Sequence, residues 1–246
     1  MSLALMEFDF TPYIVYWSIG AVFFLVEWLR PARSLNYRKV FLGDLIALGA
    51  YNLFFLTAIY LTDRIAIPNY VSWRFQTLPF GVKLVCFALA VDCSAYWLHR
   101  LWHTGPLWRI HKWHHSPTYM YWLAGVRASL PQVIMAGLPF VIWLPLLRPV
   151  PPVFFVWYSV FLIVTNNWMH MNVTWRSRWL EWIFVTPRYH HIHHGDDARF
   201  YLRNFGVVFT FWDRLFGTYS DPELVGKEIR FGIHESPNPI RLAIGI

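Results

Sequence analysis

Residues 80–115 read FGVKLVCFALAVDCSAYWLHRLWHTGPLWRIHKWHH, an apolar run that ends in two closely spaced groups of histidines. A helix needs about 20 apolar residues to cross a bilayer, and residues 80–98 come close to that length. The run passes directly into HRLWH, with His99 and His103, and then into HKWHH, with His111, His114 and His115. A third group, HHIHH, repeats the second spacing at His190, His193 and His194. Residues three and four apart share a helix face, so the pairs His99/His103, His111/His115 and His190/His194 can each aim two imidazoles at one point. Imidazole is the common protein ligand for zinc, copper, iron and nickel. A lone histidine in an aromatic-rich chain is ordinarily a core or interface residue, but eight of the 11 histidines here fall into three spaced clusters. Eight ligands are too many for one tetrahedral or octahedral ion, so the pattern predicts a two-metal site.

Working outward, four more apolar stretches occur at about 13–29, 43–62, 126–147 and 150–169. The chain as a whole is 57% hydrophobic, 20% aromatic and only 14% charged. Soluble proteins carry about a quarter charged residues, so too few charges are present to cover a water-facing surface. The 15 tryptophans and 13 tyrosines suit a bilayer interface. The reading is an all-α, polytopic membrane helix bundle of about four or five membrane segments, with a cytoplasmic helical cap holding the histidines. It is taken as a single domain over residues 1–246. The fourth and fifth segments are joined by little more than residues 147–152 and read as a hairpin that either spans or dips in and returns. Pro131, Pro139 and Pro145 would kink the fourth, which packed membrane helices tolerate. After residue 170 the chain becomes more polar, and this tail is expected to fold against the membrane core.

Charge placement supports the same picture. The net charge of +7 comes from no basic run long enough to track a phosphate backbone, which argues against nucleic acid. With the N-terminus outside and five segments threaded in order, 17 of the 21 Lys and Arg residues fall inside. That asymmetry is what the positive-inside rule expects, and the same threading puts every histidine cluster on the cytoplasmic side. Cys86 and Cys93 lie seven residues apart in one apolar segment, roughly 10 Å along a helix axis, too far for a disulfide. The opening MSLALMEFDF has acidic residues and no basic run, so no cleavable signal peptide is expected and the first apolar segment should remain as an anchor.

Further residues bear on the site. His170 ends the fifth segment within NNWMHMN and could reach the metals or hydrogen-bond to Asn172 at the interface. Asn166, one turn earlier, could contribute its amide oxygen directly or through water, or serve helix packing. Asp92 and Tyr96 precede His99 by seven and four residues and share its helix face. A carboxylate that orients a ligating imidazole is a standard arrangement, and a buried acid in a membrane segment is functional by default. Asp92 is therefore expected to orient a ligand. His191 is expected to support its neighbours, and His234, among Gly, Glu, Ser and Pro, to lie on the surface.

The order and spacing of these boxes resemble the sterol desaturase and fatty acid hydroxylase superfamily of membrane di-iron oxidases. The family pattern is HX3H, HX2HH, a separated His and a second HX2HH. Here it reads His99–His103, His111–His115, His170 and His190–His194. Asp92-Cys-Ser-Ala-Tyr96-Trp97-Leu-His99-Arg100 looks like the family's entry to the first box. Asn204-Phe-Gly206 and Trp212-Asp213-Arg214-Leu-Phe-Gly217-Thr218 look like its closing signature. The resemblance covers about residues 88–220. Within the superfamily, TPRYHHIHHG and VRASLPQ look most like the alkylglycerol monooxygenase branch and its short bacterial relatives. Some members carry histidine where this chain has Asn166, which leaves the ligand count open there.

The resemblance implies two iron ions (Fe2+/Fe3+) held by His99, His103, His111, His114, His115, His170, His190, His193 and His194, with O2 as co-substrate. Asp92, Tyr96 and Asn166 are the further candidates for catalysis. The implied reaction is hydroxylation or desaturation of a lipid C–H bond in a fatty acyl, alkyl ether or sterol chain, with hydroxylation preferred. A sterol desaturase or C4-methyl oxidase and an alkylglycerol ether monooxygenase are alternatives on the same site. A metal-stapled non-enzymatic membrane protein and a metal transporter are alternatives of another class. No fused cytochrome b5 domain is recognisable, so a separate electron donor such as a cytochrome b5, ferredoxin or reductase is implied. The implied location is an integral protein of a bacterial inner membrane, with the metal site on the cytoplasmic face.

Overall fold

The computed structural model describes residues 11–62, 68–150, 152–224, 229–235 and 238–246. Residues 1–10, Arg64, Pro151 and Lys227, which entered the sequence readings, lie outside them. Eleven α-helices run through the described residues: α1 (Thr11–Leu29), α2 (Tyr37–Thr62), α3 (Trp73–Gln76), α4 (Phe80–Trp102), α5 (Trp108–His115), α6 (Leu130–Trp143), α7 (Pro152–His170), α8 (Arg178–Ile183), α9 (Pro187–His193), α10 (Phe211–Leu215) and α11 (Pro239–Ile244). Among the described residues there is no β-strand, only two isolated bridges, Phe184 with Phe209 and Gly195 with Phe231. The all-helical expectation therefore holds.

All five apolar stretches become helices. Two helical stretches among the described residues, Phe80–Trp102 and Leu130–Leu147, are long and apolar enough to cross a membrane, and Tyr13–Leu29 is apolar but shorter. The fourth stretch begins four residues later than its hydropathy predicts. Residues 124–126 form a 3-10 turn, and the helix starts only after Ser129, whose hydroxyl accepts from the Gln132 amide. A serine followed by proline in the first turn is a strong helix start, so Pro131 lies in the first turn of α6, where no intrahelical N–H bond is lost, and gives no reason for a kink. Pro139 does lie inside the helix. Pro145 sits in a closing 3-10 turn, Leu144–Leu147, that replaces the last α-helical turn.

Packing turns the usual distribution of polarity outward. α1 lies against α7, α2 and α4 both contact α6, and α9 sits on α7. Large apolar side chains such as Ile14 and Trp28 on α1, Leu42 and Ile46 on α2, Val85 on α4 and Val153 on α7 are exposed. Polar and charged groups are instead buried and bonded. Glu27 is fully buried near the end of α1, where its Oε1 accepts from the backbone N–H of Trp122 and of Asn172, both at 2.7 Å. Asp44 on α2 pairs with Arg127, and Tyr119 donates to the same carboxylate. These two buried acids tie α1 and α2 to the segments that follow α5 and α7, where the histidines lie. Cys86 and Cys93 are both free thiols, as their spacing requires.

Candidate metal centre

Two helix ends and two short helices carry the histidines. His99 is on the last turn of α4 and His103 is that helix's C-terminal cap. The second box occupies α5, of which Ile110, His111, Trp113, His114 and His115 are buried. The third occupies α9, which opens on Thr186, its hydroxyl accepting from the Tyr189 amide, with Pro187 in the first turn. His170 ends α7 and is buried.

The imidazoles gather into two groups. His99, His103, His111, His115 and His193 form one, and His114, His170, His190 and His194 the other, with the nearest ligand atoms in each group all within 4.8 Å of one another. The two HX2HH boxes are used in mirror fashion. The second gives His111 and His115 to the five-imidazole group and His114 to the four. The third gives His190 and His194 to the four and His193 to the five. Adjacent helical residues point about 100° apart, so each box reaches into both groups at once. The predicted pairs His99/His103, His111/His115 and His190/His194 each stay together.

Hydrogen bonds fix which nitrogen of several rings carries the proton. A carbonyl oxygen only accepts, so a ring nitrogen bonded to one must be the N–H. By that rule Nδ1 donates in His99 to Phe205 O at 2.9 Å, in His114 to Arg127 O at 3.2 Å, in His170 to Asn166 O at 2.6 Å and in His193 to Arg203 O at 3.0 Å. Each of these four therefore presents a bare lone pair at Nε2. His114 Nε2 and His170 Nε2 lie 3.3 Å apart, a separation at which two lone pairs repel unless a cation lies between them. His194 Nε2 lies 3.2 Å from both, and His190 Nε2 lies 3.2 Å from that of His170. In the other group His111 Nε2 is 3.2 Å from the Nε2 atoms of both His99 and His115. The buried Nε2 of His193 finds no hydrogen-bond partner among the described residues. Such spacings suit ligand atoms that share one ion at roughly 2.0–2.1 Å.

Electrostatics agree. Burial, reinforced by neighbouring imidazoles, holds His103, His111, His114, His115, His190, His193 and His194 well below the ordinary imidazole range. Neutral imidazole is the ligating form. Phe205, fully buried, closes the five-imidazole group with its ring 5.2–5.6 Å from those of His99, His103 and His193.

The remaining sequence candidates take other places. Asp92 does not orient a histidine. Its carboxylate accepts from Val208 N at 2.9 Å, Phe209 N at 3.1 Å and Trp212 Nε1 at 2.9 Å, while His99 takes a backbone carbonyl instead. Sharing a helix face with His99 fixed where Asp92 points, but the C-terminal segment packs into that space first. Tyr96 likewise meets Thr218, with its hydroxyl 2.7 Å from Thr218 Oγ1, and no imidazole nitrogen. Asn166 holds His170 through its backbone carbonyl, and its side-chain amide lies against Gly125. His191 lies outside both groups, with Nδ1 3.3 Å from Arg33 Nη1. His234 is exposed and paired with Asp196.

Several supporting residues escaped the sequence reading. Gly125 is one: a Cβ there would sit 2.5 Å from His170 Nδ1 and 2.7 Å from Asn166 Nδ2. Asp213, quoted only as part of a closing signature, is fully buried among four hydrogen-bond donors. The carbonyls of Arg127, Arg203 and Phe205 could not have been found at all, since every residue has one.

Comparison with known proteins places this arrangement. The chain is 28% identical to alkylglycerol monooxygenase of Homo sapiens over 182 residues, covering 73% of the chain and 39% of that protein. It is 32% identical to the Danio rerio enzyme of the same name, over 60% of the chain and 33% of the relative. It is 30% identical to ornithine lipid hydroxylase OlsE of Rhizobium tropici, over 58% of the chain and 44% of that protein. The matched parts are thus less than half the length of these relatives. No solved structure matches. The fatty acid hydroxylase family matches residues 84–218, a stretch that takes in most of α4, all nine gathered histidines and the carboxylates around them. The chain belongs to the fatty acid hydroxylase family.

Proposed function

We propose that this protein is an O2-dependent lipid hydroxylase, embedded in a membrane as one domain over residues 1–246, that holds two iron ions in its five- and four-imidazole groups. The single observation that carries the reading is the pinned lone pairs. His114 and His170 cannot hydrogen-bond to each other, yet the fold holds their Nε2 atoms 3.3 Å apart, and a cation resolves that conflict. No carboxylate joins either group among the described residues, so the donor set is imidazole throughout, which suits zinc, copper, iron or nickel. Zinc has no redox chemistry, and the relatives are named as a monooxygenase and a hydroxylase. Copper meets both conditions as iron does, and we assign iron because the order and spacing of the boxes resemble the di-iron superfamily.

Bound iron supplies O2 activation and attack on a C–H bond that has no acidic proton, which acid–base side chains cannot do. The chain's own residues do the rest. His99, His103, His111, His115 and His193 would hold one ion, and His114, His170, His190 and His194 the other. The four pinned rings keep their Nδ1 protons on carbonyls, so none has to reorient when an ion enters. Phe205 and the surrounding aromatic rings keep the five-imidazole group dry. An apolar groove between α4 and α6 is lined by Trp97, Leu98, Leu101, Leu138 and Ile142, on the side of α4 turned away from His99 and His103.

Membrane embedding is supported by the two long apolar helical stretches and by the many large apolar side chains exposed on α1, α2, α4 and α7. α4 and α7 both end at their histidines, so both groups lie at one end of the bundle, a placement that suits a surface centre better than a transport path. The excess of inside Lys and Arg supports a cytoplasmic site in a bacterial inner membrane, where a separate electron donor is within reach. Alkylglycerol monooxygenase and ornithine lipid hydroxylase are named for different lipids, so the assignment is of a reaction class on a membrane lipid.

The test has two parts. The protein purified in mild detergent should hold two iron ions per chain. Lipid extracts of the host with and without the gene should differ by a species heavier by one oxygen, and that species should vanish when His114→Ala replaces the natural chain. Fewer than two ions per chain, or identical lipid extracts, sinks the proposal.

A further inference from the structure

The two imidazole groups are oriented by unlike supports. In the four-imidazole group the two orienting carbonyls sit on firm ground. Asn166 O belongs to α7, and Arg127, whose side chain is locked to Asp44, leads into α6. In the five-imidazole group both carbonyls, Arg203 O and Phe205 O, come from residues 203–206, which have no helix or strand of their own. That loop also bends through left-handed backbone at Leu202 (φ 60°) and Asn204 (φ 56°). Neither residue is glycine, so the conformation costs energy and persists only when its surroundings hold it.

The support is concentrated on one side chain. Asp213 Oδ1 accepts from Phe205 N at 2.8 Å and from Thr218 Oγ1 at 2.6 Å. Oδ2 accepts from Gly206 N at 2.7 Å and from Tyr189 Oη at 2.8 Å. Because the Thr218 hydroxyl gives its proton to Asp213, Tyr96 must donate to Thr218, which ends a chain running from α4 to the loop. Gly206 permits the approach, since a Cβ there would meet Asp213 Oδ2 at 3.0 Å and Phe209 O at 2.7 Å. Two consecutive amides of the loop thus rest on one carboxylate, and the carbonyl of the first of those residues orients His99.

We infer that Asp213 is a positioning residue for the five-imidazole metal position alone, so that the two metal positions can be separated by a change that touches no ligand. This rests on the two-metal reading proposed above. The bond to Tyr189, next to His190, does not extend the effect to the other group. α9 keeps its own cap at Thr186, and His190 N is bonded to Thr186 O at 3.0 Å.

Asp213→Asn is the direct test, because the amide keeps the shape but sets an NH2 against donors that need an acceptor. Outer partners of metal ligands typically change affinity by about 10–100-fold. Chelator titration of the variant should therefore release one ion at about 10–100-fold lower chelator concentration, while the second is held as in the natural protein. Double variants identify which ion it is. Asp213→Asn with His193→Ala should still hold one ion, whereas Asp213→Asn with His190→Ala should hold none tightly. Thr218→Val, which removes one of the four donors, should weaken the same ion to a smaller degree and covers the case in which Asp213→Asn does not fold. Two equally held ions, equal weakening of both, or the opposite pattern in the double variants overturns the inference. A natural protein that binds fewer than two ions overturns the two-metal reading itself, which is a distinguishable result.

Discussion

The four-imidazole and five-imidazole groups share the short helices α5 and α9 and each adds the end of a long helix, yet their orienting carbonyls come from unlike places. His170 and His114 are oriented by carbonyls of α7 and of the turn entering α6, while His99 and His193 are oriented by the loop at 203–206. A helix fixes its carbonyls through its own hydrogen bonds. A loop has to be held by side chains, here Asp213, with Asp92 holding the chain just beyond the loop at Val208 and Phe209. In the four-imidazole group one carbonyl is thus fixed by a helix and the other by the Arg127–Asp44 pair, whereas in the five-imidazole group both depend on a loop held by a polar network.

The largest expected effect comes from the helical side. His114→Ala removes a pinned ligand, and we expect loss of one ion and of all detectable hydroxylation. Retention of two ions would break the comparison at its root. Gly125→Ala follows, since its methyl group would lie 2.5 Å from His170 Nδ1 and α7 cannot move aside without losing its contact with α1. The expected result is a fall in affinity for one ion of about 10–100-fold, with the five-imidazole ion unaffected. Metal analysis during chelator titration reads both outcomes.

Acid should act on both groups together. Seven imidazoles outside the long helices are held below their ordinary pKa by burial. The unfolded chain binds protons at these sites below about pH 6.5, whereas the folded, metal-free chain does not until lower pH. The unfolded state then holds more protons, so stability falls as pH drops through that window. Each imidazole contributes a slope of about 1.4 kcal/mol per pH unit while the difference lasts. The thermal midpoint of metal-free protein should drop steeply between about pH 6.5 and 5, and a flat profile would mean that these rings are not buried and neutral.

The sequence made the helix-borne imidazoles of both groups legible and hid what supports them. Spacing alone paired His99 with His103, His111 with His115 and His190 with His194, because helical periodicity fixes which residues share a face. The division of each HX2HH box between two groups follows from the same geometry. What periodicity cannot supply is the partner across the gap. Asp92 was correctly placed beside His99 on α4, yet its carboxylate meets Val208, Phe209 and Trp212, more than 100 residues away in sequence. Backbone carbonyls such as Phe205 O leave no mark in the sequence, and Gly125 gives no sign that an imidazole lies against it until the chain is folded. The start of α6 after Ser129 was readable in principle, since a serine followed by Pro131 in the first turn marks a helix start.

Asp92 offers a milder way to sharpen the contrast. Asp92→Asn keeps one acceptor for three donors, and leaving a buried donor unsatisfied costs about 1–3 kcal/mol. We expect a lower thermal midpoint and a modest weakening of the five-imidazole ion, less than for Asp213→Asn because Asp92 holds the chain two residues beyond Gly206. Equal weakening of both ions would show that the loop and the helices are not independent supports.

The smallest effect should come from His191, which shares the third box with three proposed ligands and belongs to neither group. Its ring is fully buried, faces Phe231 at 5.6 Å between centroids, and presents Nδ1 to Arg33. At one residue from His190 it points about 100° around α9, away from the side that carries His190 and His194. His191→Gln preserves an acceptor for Arg33 and fills most of the same space. We expect two ions per chain, activity within about threefold and a midpoint lowered by a few degrees, consistent with one hydrogen bond from Arg33 that is weakened by about 1 kcal/mol and not lost. Loss of an ion in this variant would move His191 into the ligand set, and the division into five and four imidazoles would have to be redrawn.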